Sequence, residues 1–225
     1  MAKKKKGNCF KKLLKAAVGV YLLLILFQLL GEAYTRLSNT HEIQVSEEWN
    51  LIVVNRWNEL PEDYSVELTE LSNGQKVDSR IYPALQEMFD AARSERIYPI
   101  VREGYRTAEE QQEILDDKIQ AYINEGYSRT RAEKTAKEWV ALPGASEHQL
   151  GIAVDINADK SKCGNDEVYT WLAKNAYKYG FILRYPMEKQ EITGISYEPW
   201  HYRYVGVEAA KDIHEQGICL EEYGE

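Results

Sequence analysis

Ser146-Glu-His-Gln-Leu-Gly-Ile-Ala-Val-Asp155 is the stretch from which the rest of this chain is best read. Ile152, Val154 and Ile156 share one parity and Gly151, Ala153 and Asp155 the other, so a strand here buries one face and carries a carboxylate on the second. The glycine and alanine beside that carboxylate leave room for bulky neighbours. A second cluster, Glu198-Pro-Trp-His201, follows later. Pro199 has no amide hydrogen and fixes its own φ, which predicts an extended Glu198 at the entrance to a strand from Trp200 to Val205. His148, Asp155 and His201 together can supply three ligands to a divalent metal and leave a fourth position for water, the arrangement of a catalytic zinc site. Glu198 is then left over as a general base. A lone histidine beside an aspartate is ordinarily a hydrogen-bonded pair with no metal. Here the chain has only four histidines, and two of them fall in the two segments where Gly, Pro, Trp and carboxylates gather without helical periodicity.

Upstream, Ile97 to Tyr105 has the composition of a strand, and Thr107 with Glu110 forms a capping-box pattern that starts a helix with Ile114, Leu115 and Ile119 inward. Arg106 therefore sits at a strand-to-helix corner, where a guanidinium beside the positive end of a helix suits a carboxylate or a developing oxyanion. Gln111 can add an amide donor. From the residues alone, an arginine so placed is as often a surface ion pair.

Three spaced motifs now stand in order: Gly104-Tyr105-Arg106-Thr107 followed by Gln111, then Ser146-x-His148-x-x-Gly151-x-Ala153-x-Asp155, then Glu198-x-Trp200-His201-x-Arg203. In these the chain resembles the VanY-type D-alanyl-D-alanine carboxypeptidases, zinc enzymes of bacterial cell walls, over roughly Trp57 to Gly217. The resemblance implies an α+β fold, a small antiparallel sheet flanked by helices (hedgehog/DD-peptidase-like). It implies Zn2+ on His148, Asp155 and His201, with Glu198 catalytic. The substrate implied is the peptidoglycan stem peptide, cut before its terminal D-alanine, with Arg106, Gln111 and Ser146 holding that residue's carboxylate and Trp200 walling the pocket. Vancomycin resistance is a further implication of the family. Read without it, Ser146 is a turn cap and Trp200 a core residue. Two alternatives stay open: a non-catalytic zinc-containing wall-binding module, and a dipeptidase, endopeptidase or L,D-carboxypeptidase acting on the same polymer. A purely structural zinc normally has all four positions filled, which counts against the first. Pocket depth separates the others.

The 225 residues, 44% hydrophobic, suffice for one packed domain and an appendage. Residues 1–30 hold seven lysines and no acid, leaving 21 basic against 36 acidic residues elsewhere, or −15. That charge disfavours nucleic acid as a partner. The lysines precede an uncharged leucine-rich run, Ala16 to Gly31, about 24 Å long as a helix. Snorkelling of Lys15 lets Leu13 and Leu14 extend it towards the ~30 Å hydrocarbon core, as Ala33 and Tyr34 do at the other end. The expected order is a basic cytoplasmic tail (1–15), an uncleaved transmembrane anchor (16–34), a stalk (35–50) and the zinc carboxypeptidase domain (51–225), outside the membrane and monomeric. A cleaved signal peptide is the rival, with Glu32 between Gly31 and Ala33 counting against it. Cys9 falls on the cytoplasmic side, whereas Cys163 and Cys219 fall where pairing is open to them.

The remaining elements follow from pattern. Leu51 to Val54 suggests a short strand and Leu60 to Asp63 a turn; Val66 to Leu71 is extended before a turn at Ser72 to Gln75. A helix from Pro83 to about Glu95 buries Leu85, Met88, Phe89 and Ala92. Thr130 and Glu133 cap a helix to about Val140, in a segment covering one side of the site. A helix from Asp166 to Tyr179 ends at Gly180, a strand spans Phe181 to Tyr185, and Pro186 to Tyr197 is a loop. Val207 to Gln216 closes the chain as a helix, with His214 facing solvent and His41 solvated in the stalk.

Overall fold

The computed structural model describes residues 49–61 and 64–223. The tail, the anchor, His41, Cys9 and nearly all of the stalk lie outside the described residues. Trp49 and Asn50 already pack on the domain. The Trp49 ring stacks on Tyr204 and lies under Arg80, and the Asn50 side chain donates to the carbonyl of Val205.

Two antiparallel sheets carry the fold. Strands β1 (Leu68–Glu70) and β2 (Lys76–Asp78) form a hairpin whose turn uses Gly74 at φ +83°. The larger sheet has β3 (Pro99–Glu103) at one edge, then β4 (Ala153–Ala158), β6 (His201–Tyr204), and β5 (Phe181–Leu183) at the other edge. Every pairing in it is antiparallel, with Asp155 opposite His201 and Ala153 opposite Arg203. Between β3 and β4 the register slips at Val101/Glu103, a bulge beside the metal motif.

Helix α1 (Tyr82–Ser94) has Pro83 in its first turn and buries the expected Leu85, Met88, Phe89 and Ala92. These pack with Ile152, Val154, Ile156, Val168, Leu172 and Phe181 into one core, so the alternation seen in the sequence is the burial of β4's apolar face. Helix α2 (Ala108–Asn124) starts with the Thr107/Glu110 capping box formed in both directions, and Leu115 is its buried anchor. Helix α4 (Asn165–Asn175) runs into a 3₁₀ turn, Ala176–Tyr179, that ends at Gly180. Helix α6 (Val207–Gln216) has the bounds expected of it.

Four expectations need correction. Leu51 to Val54 is not a strand: its backbone joins no sheet, and the carbonyls of Asn50 and Ile52 are taken by Nη2 of Arg203. A guanidinium does there what a neighbouring strand would have done. Helix α3 (Arg129–Ala136) starts at Ser128 and stops before Val140. Glu133 pairs with Arg129 at 2.8 Å, one turn back, instead of capping Thr130. Within Pro186 to Tyr197 the chain forms a 3₁₀ turn, Met187–Lys189, and a short helix α5 (Gln190–Thr193). Finally, β6 begins at His201, because Pro199 and Trp200 form a turn in which the His201 amide donates to the Glu198 carbonyl.

Candidate active site

Register places two of the three predicted ligands. Asp155 on β4 and His201 on β6 are directly paired, so their side chains leave the sheet on one face. His148 comes from a 3₁₀ turn, Glu147–Leu150, that leads into β4 through Gly151 at φ +75°. Its ring is fixed from behind: Nδ1 lies 2.7 Å from the Gly104 carbonyl oxygen, so Nδ1–H donates and Nε2 is left facing the site. Gly104 can come this close only as glycine, since a Cβ there would sit 2.2 Å from the Lys76 carbonyl oxygen.

The three side chains converge on one point. Oδ1 of Asp155 is 3.5 Å from Nε2 of His148 and 3.1 Å from Nδ1 of His201, and the three ligand atoms all lie within 4.8 Å of one another. Bonds of ~2.0–2.1 Å in a tetrahedral site separate ligand atoms by ~3.4 Å. The donor set therefore fits a zinc ion with small adjustments. Oδ1 of Asp155 is also buried with no hydrogen-bond partner, as a ligand oxygen awaiting an ion would be. Among the described residues no other group of His, Cys, Asp and Glu side chains meets in this way.

Charge state follows from surroundings. Burial, with the Arg106 cation added, pushes His148 down to about 4, so its imidazole is neutral and ligand-competent. Burial alone would do the same to His201, but the carboxylates of Asp155 and Glu147 prevail and lift it to about 9. Burial raises Asp155, yet the two histidines overcome this and hold its carboxyl well below the usual range. Glu198 has Oε2 3.5 Å from Nδ1 of His201, and it is pushed up to about 7, first by burial and then by Asp155, against the pull of His201 and Arg106. A carboxyl poised near neutrality is suited to taking and returning a proton.

Arg106 closes the site from the α2 side. Its Nη2 is 3.8 Å from Oδ2 of Asp155 and its Nε 3.9 Å from Glu103, while Nε itself has no hydrogen-bond partner. Gln111 is placed differently from the free donor expected of it. Its amide oxygen accepts from Nη1 of Arg106 at 2.8 Å and its amide nitrogen donates to the Ala141 carbonyl at 2.8 Å, tying the arginine to the segment after α3. Ser146 is buried and makes no side-chain cap, and Trp200 is half-buried, so neither takes the bland role open to it in the sequence. All eight residues singled out in the sequence border one cavity of about 170 Å³, whose other walls include Trp139, Val140 and Ala141 after α3, and Tyr185 and Ile195. A larger, mostly apolar cavity of about 510 Å³ lies between α4, β5 and α6 and gathers no such chemistry. Converging charge, not volume, marks the site.

A family model for D-alanyl-D-alanine carboxypeptidase, VanY, matches residues 74–207, which contain every one of these side chains. The chain belongs to the VanY family. Its VanY domain is similar to a D-alanyl-D-alanine carboxypeptidase of Enterococcus faecalis, 59% identical over 177 residues, 79% of this chain. The chain spans 48–66% of the length of the curated relatives it matches. It is also similar to a solved vancomycin-resistance D,D-pentapeptidase VanY in complex with Zn(II), at 59% identity and TM-score 0.78, covering 79% of this chain and all of that one. A structure of VanYB in complex with D-alanine-D-alanine matches at 60% identity and TM-score 0.77, over 78% of this chain and 97% of that one.

What the sequence does not announce in this VanY domain lies behind the ligands. Glu147, Arg184, Arg203 and Glu221 form a buried ion network: Arg184 donates to Glu147 at 2.7 Å and to both oxygens of Glu221 at 2.7 and 2.6 Å, and Arg203 lies 2.9 Å from Glu147. Burial raises the Glu147 carboxyl, but Arg184 and Arg203 outweigh it and hold Glu147 far below the usual range. The one available signal is Arg203 standing two residues after His201 on one strand, hence on the same face. His214 is exposed and stacks on Tyr177 at 4.0 Å, away from any ligand group. Cys163 and Cys219 are both free; Cys163 accepts from the Tyr98 amide, and burial pushes the Cys219 thiol up to about 12.

Proposed function

We propose that this chain is a zinc-dependent D,D-carboxypeptidase that removes the terminal D-alanine from peptidoglycan stem peptides. The observation that carries the reading is the meeting of His148, Asp155 and His201 on one point, with Glu198 and Arg106 at the same cavity and Nε of Arg106 unpartnered. The likeness to D-alanyl-D-alanine carboxypeptidases and to a VanYB complex with D-alanine-D-alanine supports it.

Zinc held by His148, Asp155 and His201 would supply Lewis-acid polarisation of a water and of the scissile carbonyl. Glu198 takes the proton of the attacking water on its carboxylate and returns it to the departing amine of D-alanine. Arg106, steadied by Gln111, offers its unpartnered Nε–H to the substrate's terminal carboxylate or to the developing oxyanion. Ser146 adds a hydroxyl and Trp200 an apolar wall to the same cavity. A cavity of about 170 Å³ is well below the ~300–1,000 Å³ of sites for drug-sized ligands, which suits one or two small residues.

We further infer a single-pass membrane protein with the lysine-rich tail in the cytoplasm and a monomeric domain on the wall side. The support is the lysine-then-leucine pattern of residues 1–31. Among the described residues no helix is long and apolar enough to cross a membrane. Removal of terminal D-alanine would also take away a vancomycin target.

Mass spectrometry of purified stem peptides tests the activity. Pentapeptides should lose one residue while tetrapeptides persist, and the loss should stop on chelation and return with zinc. Cleavage of tetrapeptides, or undiminished activity after exhaustive chelation, would sink the proposal.

A further inference from the structure

Glu147 stands between the ligand set and the buried arginines, and its two oxygens face different neighbours. Oε1 lies 2.7 Å from Nε of Arg184 and 2.9 Å from Nη1 of Arg203. Oε2 is buried with no hydrogen-bond partner and lies 3.8 Å from Nε2 of His201. That ring nitrogen is also buried and unpartnered, whereas Nδ1 of the same ring is the atom that approaches Asp155. An unpartnered donor and an unpartnered acceptor, both buried, face each other. Buried polar atoms left unpaired are costly, and a small ring rotation towards Glu147 satisfies both.

We propose that Glu147 is a positioning residue for the third metal ligand: its Oε2 accepts the Nε2–H of His201, which fixes the tautomer that presents Nδ1 to the ion, while Arg184 and Arg203 hold the carboxylate at that angle. The two histidines are then braced from behind by unlike groups, His148 by the Gly104 carbonyl and His201 by a full negative charge. A carboxylate behind a ligating imidazole makes it a stronger ligand as well as a fixed one. Arg184 is itself clamped by both oxygens of Glu221, so the brace rests on a rigid base. Adjacent residues of one 3₁₀ turn thereby do two tasks: His148 binds, and Glu147 aims its partner.

This inference rests on the zinc reading above, and zinc affinity, measured by chelator competition on the purified chain, separates the two. Glu147→Gln keeps the shape and an acceptor but removes the charge, and should weaken zinc binding about 10–100-fold. Glu222→Gln breaks the neighbouring ion pair with Lys189, outside the brace, and should change zinc binding by less than about two-fold. Equal losses in the two variants, or an unchanged affinity in Glu147→Gln, would overturn the assignment while leaving zinc in place. If Glu147→Gln does not fold, the zinc-loaded wild-type chain decides by proton–nitrogen NMR. His201 should carry a slowly exchanging, far-downfield proton on Nε2; one that exchanges as in free imidazole, or sits on Nδ1, overturns the proposal. A wild-type chain that takes up no zinc overturns this inference and the zinc reading together.

Discussion

Arg184 and Arg106 are drawn to carboxylates in the same small domain and end in opposite conditions. Arg184 is fully buried, and each of its three nitrogens donates to Glu147 or Glu221 at 2.6–2.7 Å. Arg106 holds Gln111 with one nitrogen, stays 3.8–3.9 Å from Asp155 and Glu103, and leaves Nε unpartnered at a cavity. One cluster is closed and the other is held short of closure. Short ion pairs to two arginines make the first cluster rigid, with only the Glu147 oxygen that faces His201 left over. The same groups kept about an ångström farther apart give a place for an ion, a water and a carboxylate to arrive.

The largest effect that would test this contrast is at Glu198. Replacement by glutamine should cost ~10²–10⁴-fold in kcat, with zinc near one per chain and the melting temperature unchanged or raised; hydrolysis that persists would remove Glu198 from the base role. Breaking the closed cluster should do the reverse. Arg184→Met leaves the buried Glu221 without its arginine and Glu147 with only Arg203, and should cost about 3–5 kcal/mol in denaturant unfolding. A neutral result there would mean the network is dispensable. Arg106→Ala should leave stability nearly untouched and lower kcat/KM about ten- to a hundredfold on substrates with a free terminal carboxylate, and less on amidated ones. Equal losses on both substrates would assign it to the oxyanion instead.

The smallest effect is a matter of pH. Burial raises the Glu221 carboxyl, but Arg184 outweighs it and holds the folded value below the ordinary one. A carboxyl so depressed stabilises the fold above its unfolded value of ~4.3, and that contribution is lost as pH falls through the folded value. The stability difference between wild type and Glu221→Gln should therefore be flat from neutrality to about pH 5 and shrink in more acid solution. A difference that grew on acidification would contradict the pairing.

Much of the open cluster is legible in the order of residues alone. His, Asp and Glu spaced among Gly, Ala and Pro do not read as helix or core, and the four that stand out for this reason border one cavity with Arg106, Gln111, Ser146 and Trp200, which the corner before Thr107 and the family resemblance added. The closed cluster is not legible in that way, because Glu and Arg in a sequence default to the surface and nothing local announces a buried pair. Gln111 reads as a free donor since its spacing places it one turn into α2; that its amide is spent on Arg106 and Ala141 depends on where the segment after α3 returns. Leu51 to Val54 has strand composition, yet what meets its backbone is Arg203, a side chain from far along the chain.

By itself the sequence determined which residue types stand apart from helix and core, the helix that begins at Thr107, and the buried face of β4, because capping and alternation are local and act within a few residues. Tertiary structure alone decided that Asp155 lies opposite His201, that Gly104 braces His148, and that Glu147 turns one oxygen to the arginines and the other to a ligand. Those outcomes depend on strand register and on the desolvation of charges brought together from distant segments, and neither exists until the chain has closed on itself.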